Sequence, residues 1–165
     1  MTGPAFAEEA PPSSQAADPS CATAEACFRA ALAPDPAAVT KAVAAIKVSK
    51  RPVIIGDRGV IISDAGAALA KLGEKIQAPV VLTLDAKQAM LEHHKLFRGT
   101  VGLYGRGCAN HVVAEADLVI YAGSNTSDHT TANWTMPKQG TPIIQIDIDP
   151  LEIGRNYSGA IGVLA

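Results

Sequence analysis

From Asp35 onward, short unbroken apolar runs alternate with stretches in which apolar residues recur at helical spacing. Asp35 precedes Pro36, an acceptor for free amides followed by the residue favoured at the first helical position, and Val39, Val43 and Ile46 then fall on one stripe. This predicts an amphipathic helix that stops before Pro52. Pro52-Val53-Ile54-Ile55-Gly56 is a β-branched run of the kind found in strands covered on both faces. Ser63 or Asp64 is expected to cap a second helix with Ala65, Leu69, Leu72 and Ile76 on one face, leading to a second strand at Pro79–Leu82. Between Asp85 and Gly107 the pattern weakens into glycines and short polar runs. A helix over Ala109–Ala116 then leads into a third strand at Asp117–Tyr121, a fourth follows at Pro142–Ile148, and Ala160–Leu164 is long enough for a short final one. Alternating strands and helices of this kind predict an α/β fold, a parallel sheet covered by helices.

Residues 1–34 lack such a pattern. They are rich in Ala, Pro, Ser and Glu and offer no apolar face to offset the entropy of ordering, so they read as a flexible linker or tail. Within them Ala22–Leu32 could form a short helix on propensity alone. The whole chain has 165 residues, one domain's worth, and its apolar share of 48% is largely alanine, with only 4% aromatic. A formal charge of -2 gives no cationic excess for a phosphate backbone, so nucleic acid is not an expected partner. Cys21, Cys27 and Cys108 form neither a disulfide framework nor a metal-ligand spacing, which points to a reducing compartment, the cytoplasm. No apolar run is long enough to cross a bilayer and the first residues do not resemble an export signal.

In an open parallel sheet the ligand site lies beyond the carboxyl ends of the strands, where loops and helix N-termini converge. After the first strand Gly56-Asp57-Arg58-Gly59 forms a tight turn that could admit a phosphate, with Arg58 as counter-charge; equally, its glycines could serve only backbone geometry. Thr83 follows the second strand, and Gly123-Ser124-Asn125-Thr126-Ser127-Asp128 follows the third, a run of hydrogen-bonding residues that suits a nucleotide or simply a polar loop. After the fourth, Asp147 is placed to accept hydrogen bonds from ribose hydroxyls, whereas Asp149-Pro150 reads mainly as the cap of a further helix. The histidines lack ligand spacing, no nucleophile elbow is present, and Cys108 reads as a packed small residue.

Together these blocks resemble a known family. KRPVIIGDRGVIISDAGAALAKLGEKIQAPVVLTLDAK, GTVGLYGRGCANHVVAEADLVIYAGS and IIQIDIDPLEIGRNY stand in the order and spacing of the middle domain of acetolactate synthase and its relatives, enzymes dependent on thiamine diphosphate. The resemblance covers Asp35 to the C-terminus and implies a Rossmann-like domain of about six parallel strands with helices on both faces, set between two catalytic domains. It implies a parent that acts on 2-oxo acids as a carboligase or decarboxylase with thiamine diphosphate and Mg²⁺, whose binding motifs are absent from this sequence. The chain is therefore expected to have no turnover alone, and both its ends look like cuts. A homo-oligomer, or the missing catalytic domains, would be its partners. In such domains FAD or ADP, or no ligand, occupies the strand ends; a free-standing module for FAD, ADP or NAD and a purely structural assembly element are the alternatives. The matching positions are Gly56, Arg58, Gly59, Thr83, Leu84, Gly102, Leu103, Tyr104, Gly123, Ser124, Asn125, Asp147 and Ile148. FAD-binding members carry basic residues where this chain has Asn125 and His129, which weighs against FAD.

Overall fold

A computed structural model describes residues 33–165. Expectations for the tail and for Ala22–Leu32 fall largely or wholly outside those residues. The described chain forms α1 (Pro36–Val48), β1 (Pro52–Gly56), α2 (Arg58–Ile62), α3 (Gly66–Ile76), β2 (Val80–Leu82), a single 3₁₀ turn (Leu84–Ala86), β3 (Phe97–Thr100), α4 (Gly107–Ala114), β4 (Leu118–Ala122), α5 (Asp128–Thr131), β5 (Ile143–Asp147) and β6 (Ile161–Leu164). The strands make one sheet of six in the order β3-β2-β1-β4-β5-β6, every pair parallel. This is the doubly wound order, with its switch point between β1 and β4.

Burial on both faces explains the unbroken apolar runs. Ile54, Val80, Leu82, Leu118, Ile120 and Ile144 point into a core shared with α1 and α3, while Val53, Ile55, Val81, Val119, Tyr121 and Ile143 point into a second core shared with α4, Met136 and Tyr157. Each such side chain fully removed from water contributes about 1.5–3 kcal/mol. Helices thus lie on both faces, and on the second face Met136 of the β4–β5 connection and Tyr157 of the β5–β6 connection pack beside them. Among the described residues no helix is long and apolar enough to cross a membrane.

Local departures from the sequence pattern have identifiable causes. Asp35 caps α1 through the amide of Ala37 at 2.9 Å, as expected. The buried stripe of α1, however, is Ala42 with Ala38, Ala45 and Ile46 beside it, and Val39 and Val43 lie exposed: alanine lets the helix approach the sheet, and the β-branched residues are left on the rim. Neither Ser63 nor Asp64 caps a helix start. A short α2 begins earlier, capped by Asp57; Ser63 ends it, Asp64 takes φ +52° to reverse the chain, and α3 starts after Ala65 without a side-chain cap. No helix follows Asp149-Pro150. Asp149 does accept from the amide of Leu151 at 2.9 Å, but the buried Gln145 side chain then takes the carbonyl of Glu152 and the amide of Gly154, and Gly154 at φ +77° turns the chain away.

Candidate functional site

The carboxyl ends of β1, β2 and β4 converge on one side chain that sequence reasoning passed over, Asp57. Only 5% exposed, it accepts from the amide of Arg58 at 2.7 Å, from the hydroxyl of Thr83 at 2.5 Å and from the hydroxyl of Ser124 at 2.7 Å. A carboxylate with this many donors can remain buried without a cation, because hydrogen bonds replace its hydration. Ser124 in turn accepts from the amide of Thr126 at 3.1 Å, so the network fixes the loop after β4 as well.

The glycines that follow β1 and β4 meet each other. The amide of Gly59 donates to the carbonyl of Gly123 at 3.0 Å, and a Cβ on Gly59 would lie 2.6 Å from the Cα of Gly123. Gly123 also needs its φ of +59°, and its own amide donates to the carbonyl of Ile146 at 2.8 Å. Gly56 leaves room for Leu69 and Leu82, either of which a Cβ would approach to 2.8 Å. The first-turn amides of α2 are thus committed: Arg58 to the Asp57 carboxylate, Gly59 to Gly123 and Val60 to the Asp57 carbonyl. For a phosphate, that turn offers only the exposed Arg58 side chain.

The loop after β3 is docked onto α5. Gly102 lies so close to the carbonyl of His129 that a Cβ would stand 2.2 Å from it, Leu103 donates its amide to the same carbonyl at 2.9 Å, and the Tyr104 ring sits 5.8 Å from the His129 imidazole. Asn110 clamps Gly102 from α4, accepting from its amide at 2.9 Å and donating to its carbonyl at 3.0 Å. Leu84, Leu103, Tyr104 and Ile148 are all exposed at the strand ends, Tyr104 by 76%. Asp147 stands apart from this network: its carboxylate accepts from the amide of Asp149 at 3.0 Å and bonds no other residue of the predicted site. Asn125 is turned to local duty, accepting from the amide of Ser127 at 3.2 Å.

Behind β4, Tyr121 is buried with a hydroxyl that has no hydrogen-bond partner, stacked on Tyr157 at 5.9 Å between ring centres. Burial pushes its phenol well above the ordinary range, with Tyr157 and the Asp57 carboxylate adding to the effect. Among the described residues no group of three His, Cys, Asp or Glu side chains could hold a metal ion. At the strand ends the hydroxyls of Thr83 and Ser124 are spent on the buried Asp57 carboxylate, whereas Asp147 and the exposed Arg58 side chain stay outside that network.

Residues 39–165 match the sequence profile of the family described as thiamine pyrophosphate enzyme, central domain. The chain belongs to this family. The curated proteins it resembles include acetolactate synthases. The probable acetolactate synthase large subunit of Methanocaldococcus jannaschii is 40% identical over 96 residues, 58% of this chain and 16% of that protein. The acetolactate synthase large subunit of Cyanidium caldarium is 32% identical over 97 residues, 59% of this chain and 17% of that protein, and that of Lactococcus lactis is 34% identical over 92 residues, 56% and 16%. The matched part of the central domain therefore spans about a sixth of the length of these relatives. The six-stranded sheet agrees with the fold that the family resemblance implied.

Proposed function

We propose that this chain is the non-catalytic central domain of an acetolactate synthase-like enzyme acting on 2-oxo acids, and that it holds the flanking catalytic domains or a second copy in place. The observation that carries this reading is the match of residues 39–165 to the thiamine pyrophosphate enzyme central domain, combined with a buried network at the strand ends in which Asp57, Thr83 and Ser124 satisfy one another. In the parent, thiamine diphosphate would supply the carbanion-stabilising chemistry, with the protein orienting it. The described residues do not fit the Mg²⁺ that would anchor it, since they lack a cluster of metal-ligating side chains. No catalytic step is assigned to them.

A nucleotide at the strand ends is a second reading, favoured by Asp147 together with the exposed Leu84, Leu103, Tyr104 and Ile148. Asp147 and Ile148 would take the sugar, and the apolar side chains would flank a ring. The phosphate end fits less well, because the α2 amides are already bonded. This weighs against FAD and ADP alike, since both carry a diphosphate.

The test is to purify the chain, assay it with pyruvate, thiamine diphosphate and Mg²⁺, and measure its thermal midpoint with thiamine diphosphate, FAD and ADP. The expected result is no release of carbon dioxide and no shift with thiamine diphosphate. Turnover, or such a shift, overturns the scaffold reading. A ligand at a hundred times its dissociation constant adds about 2.7 kcal/mol, so a rise with ADP would establish the nucleotide reading and a flat response would remove it.

A further inference from the structure

A cleft of about 610 Å³ lies between the β4–β5 and β5–β6 connections, lined by Trp134, Lys138, Thr141, Arg155, Asn156 and Tyr157 among others. That volume suits a small-molecule ligand. Its wall is built in an unusual way: Ala132, Asn133 and Trp134 have φ of +50°, +58° and +55°, a run of left-handed residues that L side chains rarely adopt. Such a run persists only where its surroundings fix it. Here the amide of Asn133 donates to the Asp128 carbonyl at 2.7 Å, that of Trp134 to the Thr131 hydroxyl at 2.9 Å, and the indole N–H to the Thr126 carbonyl at 3.3 Å. The outcome is an indole held in a set orientation yet 53% exposed at the cleft.

Two cations share that cleft. Arg155 has five N–H donors and gives one each to Glu152 Oε1 at 2.6 Å and the Asn125 carbonyl at 3.1 Å; Lys138 gives one of its three to Glu115 at 2.9 Å. The carboxylates that hold them do not line the cleft. A fixed indole that lines one cleft with a positioned guanidinium and an ammonium, each with donors to spare, suits a ring bearing an oxyanion, the indole stacking on the ring and the cations bonding the charge. We propose that this cleft, which adjoins the loop after β4 through the carbonyls of Asn125 and Thr126, is a binding site for a small aromatic carboxylate or aromatic phosphate.

Trp134 is the only tryptophan of the chain, so its emission reports on this cleft alone. The full chain is titrated with phenyl phosphate, with benzoate and with inorganic phosphate, and again as Arg155→Leu. A saturable change with either aromatic anion, absent with inorganic phosphate at the same concentration and weakened about tenfold or more by Arg155→Leu, is expected, since a charge-assisted bond is lost. The tighter of the two aromatic probes identifies the oxyanion. No saturable change with either, an equal response to inorganic phosphate, or an unchanged affinity in Arg155→Leu overturns the proposal. Should that variant not fold, Lys138→Gln on an exposed side chain takes its place under the same criteria.

Discussion

Asp57 is the residue on which the strand ends depend. Its carboxylate serves as the cap of α2 and as the acceptor for hydroxyls from β2 and β4. Asp57→Ala would leave the buried hydroxyls of Thr83 and Ser124 without their acceptor and α2 without a cap, and is expected to lower stability by about 2–4 kcal/mol in urea unfolding. A loss below about 0.5 kcal/mol would show that the network contributes little. The residue was visible in the sequence, yet it read as part of a glycine turn because its partners stand 26 and 67 positions away. A signal was present all the same: three apolar runs that become adjacent parallel strands are each followed closely by a polar residue, Asp57, Thr83 and Ser124. Trp134 gave no such signal, since its setting arises from backbone angles that ordinary residues do not advertise.

Among elements, the strands with unbroken apolar runs were legible because burial on both faces leaves no room for polar side chains. Strand β3 was not legible: it is a short edge strand, exposes Arg98, carries Gly99 at φ +107° and shifts register against β2. The early start of α2 was hidden because its cap, Asp57, bonds the adjacent Arg58 amide inside what reads as a glycine turn. The pairing of β1 with β4 is tightened where α2 begins by the touching backbones of Gly59 and Gly123. Gly59→Ala is therefore expected to force these strand ends apart and to lower stability by about 3 kcal/mol or more, as overpacking against backbone offers no side chain that can move aside. Denaturant unfolding of the variant checks this, and a midpoint within error of the parent chain would show that α2 can shift without loss.

At the scale of the molecule, Asp117 ties the end of α1 to the start of β4, accepting from the Ser49 hydroxyl and from the amides of Lys50 and Arg51 at 2.8 and 2.9 Å. The Ser49 hydrogen bond comes first in holding its pKa below the ordinary value; burial, the next largest effect, opposes it, and the two amides and the charge of Arg51 add to the lowering. The folded value is below the unfolded one, so the stability it contributes is fully present above pH of about 3.9 and is lost as pH falls through the folded pKa. The difference in unfolding free energy between the parent chain and Asp117→Asn should thus be greatest near neutral pH and shrink toward pH of about 3. Equal differences across that range would remove Asp117 from the acid response.

The first described helix, α1, lies against the last strand, β6, with Ala42 and Val163 in one core. A ribosome delivers these partners at opposite ends of the domain. The apolar stripe of α1 must then wait, for on the order of ten seconds at common synthesis rates, until Ile161–Leu164 has emerged. During that interval the nascent chain exposes a sticky helix beside a sheet without its final edge, and that is the window in which a holding chaperone would act on it.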